Sequence, residues 1–150
     1  MNALELLTRD HETVRSLFRQ FESVDKSASL MIVAQIRTEL ETHAHLEESI
    51  FYPTLEDQND QDLIELVDES LEEHQAVKDL LNEIESLNAD RAQLHAKIIE
   101  LRDKVEHHAA EEESELFPRV RTVLTDEDLD RMGEELAVAR EHFSATAAIA

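Results

Sequence analysis

Two histidines in this 150-residue chain stand four residues ahead of a glutamate in matching surroundings: His43 before Glu47, and His108 before Glu112. On a helix that spacing stacks both side chains on one face, a single turn apart. His11 and His74 join them, because all six fall on runs of Leu, Ile, Val and Phe that recur at helical intervals. Their neighbours along those runs are core residues, so the six side chains point inward. A buried carboxylate or imidazolium without a partner costs several kcal/mol. Six at one level would exceed the roughly 5–15 kcal/mol that holds a whole domain together. A hydrogen-bonded His–Glu network would satisfy one such pair. For a symmetric set of four imidazoles and two carboxylates, a metal is the better reading.

That donor set suits two first-row ions better than one, each taking two histidine nitrogens with the glutamates bridging. Mixed nitrogen and oxygen ligation with open positions favours iron ahead of manganese or zinc. The chain has no cysteine, which excludes thiolate zinc sites, iron–sulfur clusters, disulfides and cysteine nucleophiles.

The six residues repeat. Laying His11–Ser23 over His74–Ser86 matches five of thirteen positions, and laying His43–Pro53 over His108–Pro118 matches six of eleven. The first histidine of each half precedes the second by 32 and 34 residues. Each half is therefore a helix pair, and two facing pairs complete a bundle. His45 and His107 have no histidine counterpart in the other half. His45 lies about 200° around the helix from His43 and is assigned to the surface, as is His107. Glu111 could stand in for Glu112 only on a rotated helix, which the repeat disfavours. Glu48 and Glu113, matched across the halves, are either acceptors for histidine N–H groups or exposed helix charges. Tyr52, the only tyrosine, is read mainly as a packing residue, with a hydrogen bond near the site as the alternative. His95 and His142 receive no role.

The elements that position these residues are all helical, as one glycine, two prolines, 4% aromatics and 33% charged residues imply. A first helix spans about Ala3 to Val24, with Leu4, Leu7, His11, Val14, Phe18 and Phe21 on its seam. Ser23 to Ser29 reads as a polar connection. The second helix carries Ile36, Leu40, His43, Glu47 and Ile50, weakens near Pro53 and ends in Asp57-Gln58-Asn59-Asp60. A third carries Val67, Leu71, His74, Val77, Leu81 and Ile84, and Asn88-Ala89-Asp90 marks the next connection. The fourth carries Leu94, Ile98, Leu101, Val105, His108 and Glu112. Thr125 then caps a shorter fifth helix, about Asp126 to Glu141, and the Ala-rich end after His142 is expected to fray. Short connections make the long helices antiparallel neighbours. The expectation is one domain over 1–150, an up-down-up-down bundle at about 3–123 with a C-terminal helix and tail at 125–150.

Asp10-His11-Glu12, His43-x-x-x-Glu47-Glu48 running to Phe51-Tyr52-Pro53, Glu73-His74, and His108-x-x-x-Glu112-Glu113 running to Phe117-Pro118 together resemble the haemerythrin-like, or HHE cation-binding, family. The resemblance runs from about residue 3 to 123. It implies two iron ions with an oxo or hydroxo bridge, ligated by His11, His43, His74 and His108 and bridged by Glu47 and Glu112. Oxygen-carrying haemerythrins use a fifth histidine one turn after the third-helix ligand, and Lys78 occupies that position here. A lysine ammonium beside two irons is costly, so Lys78 is expected to snorkel outward, which argues against reversible oxygen carriage. The Glu-x-x-His spacing of ferritin-like bundles occurs at none of the eight histidines.

A net charge of −22 with no basic stripe disfavours nucleic acid and anionic membranes as partners. No signal-peptide pattern and no apolar run near membrane-spanning length occur, so a cytoplasmic location is expected. No substrate pocket is evident, and a monomer is the favoured state. Two functions follow. The favoured one is a di-iron protein that reacts with peroxide, dioxygen or nitric oxide in oxidative or nitrosative stress defence, with catalase-like peroxide breakdown as its chemistry. The alternative is a non-catalytic protein that binds, senses or stores oxygen, nitric oxide or iron.

Overall fold

The computed structural model describes residues 1–87 and 91–149, with 26 and 145–149 by their backbone alone. Every regular element among them is helical: α1 (Ala3–Ser23), α2 (Lys26–Leu46), α3 (Tyr52–Glu56), α4 (Gln61–Ser86), α5 (Arg91–Glu111), α6 (Phe117–Val123) and α7 (Asp126–Ile149). The expected Asn88–Asp90 connection lies outside the described residues. Between α2 and α3, and again between α5 and α6, the chain passes without a break through one wider π-helical turn, Glu47–Phe51 and Glu112–Leu116.

Local chemistry sets the helix ends. Asn2 and Glu5 form a reciprocal capping box at the start of α1, with Glu5 N–H donating to Asn2 Oδ1 at 2.9 Å and Asn2 N–H to Glu5 Oε2 at 3.1 Å. Thr125 and Asp128 do the same for α7, at 3.1 and 3.0 Å. The first connection is shorter than the expected Ser23–Ser29. Asp25 already caps α2 by accepting from Ala28 N–H at 3.1 Å, so the polar residues that read as a loop are the first turn of a helix. The second connection falls where expected. Asn59 adopts a left-handed φ of 56°, and Asp60 caps α4 through Leu63 N–H at 3.0 Å.

The weakening expected near Pro53 is a widening of the helix, which runs on to Glu56. A proline ring clashes with the carbonyl four residues back and removes one helical hydrogen bond. Letting the preceding turn take the wider i to i+5 pattern relieves both problems. Tyr52 N–H then bonds Glu47 O, and in the second half Phe117 N–H bonds Glu112 O ahead of Pro118. Each π turn begins at the inward glutamate.

The bundle's interior is two apolar clusters with a polar layer between them. One contains Leu4, Leu7, Leu46, Phe51, Leu55, Leu63, Val67 and Leu116. The other contains Val14, Phe18, Phe21, Ile36, Leu81, Ile84, Ile98 and Leu101. Helices α1 and α4 enter the first cluster early and the second late, whereas α2 and α5 run the other way. That alternation is the up-down-up-down order. One seam residue departs from expectation: Leu71 is 36% exposed, and Ser70 is buried at its level. Leu63, Val67, Ser70 and His74 keep the 4-3-4 spacing, and their fully buried Leu63 and Val67 fix the phase of α4.

The fifth helix is longer than the sequence suggested, running to Ile149. Its Ala-rich end has high helix propensity and needs no partner to continue the pattern. Leu129, Met132 and Leu136 join the first cluster. Gly133, the chain's one glycine, lets α7 lie against the start of α1: a Cβ there would stand 2.9 Å from Asn2 C and inside contact distance of the Met1 carbonyl oxygen. Among the described residues no helix is long and apolar enough to cross a membrane.

Candidate metal centre

All six inward residues of the sequence pattern converge in the polar layer. Glu47 and Glu112 are 0% and 1% exposed, and His11, His43, His74 and His108 are buried with them. Two groups form, His11 with His43 and Glu112, and Glu47 with His74 and His108, the ligand atoms of each lying within 4.8 Å of one another. Each group takes its histidines from one half of the repeat and its glutamate from the other. The carboxylates lie between the groups. Glu47 Oε1 is 3.1 Å from His43 Nε2, 2.9 Å from His74 Nε2 and 3.8 Å from His108 Nε2. Glu112 Oε1 is 3.1 Å from His11 Nε2 and 3.4 Å from His108 Nε2.

The outer nitrogen of every ring is committed to a carboxylate. His11 Nδ1 lies 2.7 Å from Glu113, His43 Nδ1 2.8 Å from Asp10, His74 Nδ1 2.7 Å from Glu48 and His108 Nδ1 2.8 Å from Glu73. A carboxylate accepts a proton, so each ring donates through Nδ1 and turns the lone pair of Nε2 inward, the tautomer a metal ligand needs. The pairing follows the repeat. The acid just before His11 or His74 holds the second histidine of its own half, and the acid just after Glu47 or Glu112 holds the first histidine of the other half. Glu48 and Glu113 thus act as N–H acceptors, one of the two readings of the sequence. Asp10 and Glu73 were missed in that role, although both stand next to a ligand-type histidine in each half.

Behind these acids stand cations: Arg15 against Glu113 at 3.1 Å, Arg140 against Asp10 at 2.5 Å and Lys78 against Glu48 at 2.8 Å. Lys78 points outward, as expected. Arg140 comes from α7, so the fifth helix also reaches the site. Glu73 instead faces His107 at 3.5 Å, and His107 also pairs with Glu111 at 3.0 Å. These three form a partly exposed outer cluster. His107 is 67% exposed at its side chain, and Glu111 lies outside the layer while Glu112 faces in. His45 is exposed and stacks on Phe143, with ring centroids 4.5 Å apart. His95 lies 5.8 Å from the Phe21 ring.

Tyr52 does more than pack. Its hydroxyl donates to Glu112 Oε2 at 2.7 Å and lies 3.2 Å from His74 Nε2. Its counterpart Phe117, without a hydroxyl, stacks on His11 at 6.1 Å and 3°.

The groups fit metal ions on three observations. His43 Nε2 and Glu47 Oε2 are buried without a hydrogen-bond partner, an arrangement that costs energy unless something binds there. His74 and His108 point their Nε2 atoms at each other across 3.2 Å while both Nδ1 atoms are committed elsewhere. The donors are imidazole and carboxylate only. With no ion bound, protons take the cation's place. Burial works against an imidazolium at His43, but the Glu47 charge, with the hydrogen bond and charge of Asp10, outweighs it and raises the pKa to about 10. His74 and His108 are raised by the same balance. Burial and the nearby Glu47 charge push Glu112 up. Glu48 falls to about 2, chiefly because His74 donates to it, with Lys78 adding to the effect.

A cavity of about 920 Å³ opens onto the layer from the side of the second apolar cluster, and His11, His43, His74 and His108 are part of its wall. No such pocket is evident in the sequence. A stripe of Val and Leu reads the same whether it fills a core or lines a void.

A four-helix bundle with a buried layer of histidines and glutamates defines a metal-binding helical bundle. The Hemerythrin HHE cation binding domain description matches residues 2–120 and again 66–147, and the chain belongs to that family. The second match starts 64 residues after the first, close to the 63 and 65 residues that separate the repeated histidines. The chain is 30% identical over 142 residues to a DNA nickase of Nostoc sp., covering 93% of this chain and 39% of that protein. It is 26% identical over 125 residues to an uncharacterized hemerythrin-like protein of Schizosaccharomyces pombe, covering 83% of this chain and 62% of that one. The chain thus spans less than two thirds of each of these curated relatives, 39% of one and 62% of the other. A crystal structure of a Hemerythrin HHE cation binding domain-containing protein from Mycobacterium kansasii shares the fold, with a TM-score of 0.86 at 24% identity over 99% of this chain and 91% of that one.

Proposed function

We propose that this haemerythrin-like domain holds two iron ions, one at His11, His43 and Glu112 and the other at Glu47, His74 and His108, and uses them to break down peroxide. The observation that carries this reading is the convergence of two matched His-His-Glu groups in a buried layer that a cavity reaches. Two irons within one site supply paired one-electron steps, which is what disproportionating hydrogen peroxide to water and oxygen requires. The protein's own part is to position and to exclude. Four carboxylates fix the histidine tautomers, Tyr52 holds Glu112, and the two apolar clusters flank the layer on either side.

Dioxygen and nitric oxide are further small ligands for the same centre, and oxidative or nitrosative stress defence in the cytoplasm is the setting proposed. With a net charge of −22 the domain repels a polyanion. We therefore do not carry DNA as a substrate over from the Nostoc relative. The test is oxygen evolution from hydrogen peroxide by the iron-loaded protein, with His74→Ala as control. Sustained turnover that the variant lacks supports the proposal. A stoichiometric spectral change that stops after one equivalent would instead make this a binding protein, the alternative reading.

A further inference from the structure

The cavity beside the histidine layer is far larger than hydrogen peroxide needs. Peroxide and the diatomic gases are comparable in size to one or two waters of roughly 30 Å³ each, whereas the cavity measures about 920 Å³. That volume falls in the range of roughly 300–1,000 Å³ typical of sites for small organic molecules. Its composition points the same way. Val14, Phe18, Leu40, Val77, Leu81 and Val105 form much of its wall. Such a surface gives a polar peroxide no hydrogen bonds, but it stabilises hydrocarbon by taking it out of water. The inward edges of the four histidines close one end. Exposed polar residues line it elsewhere, Arg19 and Asp103 on the α1 and α5 side and Glu41 and Asn82 on the α2 and α4 side. The cavity therefore reaches solvent between helix pairs. It combines an apolar body, a polar reactive end and routes inward.

We infer that the cavity takes the hydrocarbon part of an organic hydroperoxide, with the peroxide end against the histidine layer. This rests on the peroxide reading above and extends its substrate class to alkyl and aryl hydroperoxides. The net reaction balances with hydrogen peroxide as reductant: ROOH and H2O2 give ROH, H2O and O2. The O–O bond of the hydroperoxide breaks and takes up two electrons and two protons. Hydrogen peroxide gives up both pairs and leaves as oxygen.

Binding can be read without any peroxide chemistry by titrating the iron-loaded protein calorimetrically with 1-alkanols from butanol to decanol. These are the unreactive products of the corresponding hydroperoxides. We expect one molecule per chain, with Kd falling about fourfold per added methylene, the equivalent of ~0.8 kcal/mol for each buried CH2. The doubly filled variant Val77→Phe/Val105→Phe, checked for native helix content and iron content, should stop this gain at a shorter chain. A Kd that does not change along the series in the native protein overturns the inference, and that result depends on no variant. A filled variant that tracks the native series overturns it as well. The two readings fail separately. A regular chain-length series without oxygen evolution from hydrogen peroxide removes the functional proposal and keeps the occupant's chemistry. A flat series with vigorous oxygen evolution does the reverse.

Discussion

Each inward histidine is held by a carboxylate on Nδ1 and turns Nε2 into the shared interior, and this orientation distinguishes the site from a core that merely tolerates imidazoles. Glu48 is the clearest case. It accepts from His74 at 2.7 Å and is itself held by Lys78 at 2.8 Å. Glu48→Gln keeps the shape but weakens the acceptor, and it should lower metal affinity about 10–100-fold, the usual cost of losing such an outer partner. A competition titration against a chelator of known affinity measures this. Lys78→Met removes only an exposed ion pair, worth roughly 0–1 kcal/mol, so it should change affinity less than about fivefold. An equal effect from both would mean that the lysine, not the acid, orients the ring. Tyr52→Phe removes the donor to Glu112, a hydrogen bond of about 1.5–3 kcal/mol when the acceptor is charged. Denaturant unfolding of the metal-free protein should register that loss, while Phe117 at the matching position shows that the ring alone packs in such a place.

At the scale of elements, the repeat made the six inward histidines and glutamates legible because inward polar residues break an otherwise apolar 3-4 stripe, and doing so twice at corresponding positions is hard to produce by chance. The stripe carries phase only to within one residue, however, which is why Leu71 was placed in the core and Ser70 was not. The π turns were invisible because His-x-x-x-Glu spacing looks the same whether the next turn holds four or five residues. Proline was the available signal, and at Pro53 it read as a weakening instead of a widening. The pairing of Asp10 with His43 and Glu73 with His108 spans neighbouring helices, and no local pattern records it. The close approach of α7 to α1 was equally hidden in a single glycine. Gly133→Ala adds about 1 kcal/mol of helix propensity but drives a methyl group into the Met1–Asn2 backbone. Overpacking typically costs about 1–3 kcal/mol, so thermal or chemical unfolding should show a net loss. A more stable variant would mean that the start of α1 moves aside freely.

For the molecule as a whole, the centre couples metal binding, protonation and stability. In the metal-free protein His43 is raised from 6.5 to about 10. Between those values the folded protein holds a proton that the unfolded chain has lost. The stability this contributes is complete below pH 6.5 and disappears as pH rises through about 10. The expected slope is about 1.4 kcal/mol per pH unit for one such proton. Metal ions need the same nitrogen unprotonated, so the iron-loaded protein should lack this decline and should release protons as it binds. Unfolding curves of both forms from pH 6 to pH 10 test the difference, and parallel curves would contradict it.

The central claim is that six side chains on two repeated helix pairs hold two metal ions. Its most direct measurement is the iron retained per chain after anaerobic reconstitution and desalting, by elemental analysis. Two irons per chain are expected. A native protein that retains one or none under those conditions contradicts the account.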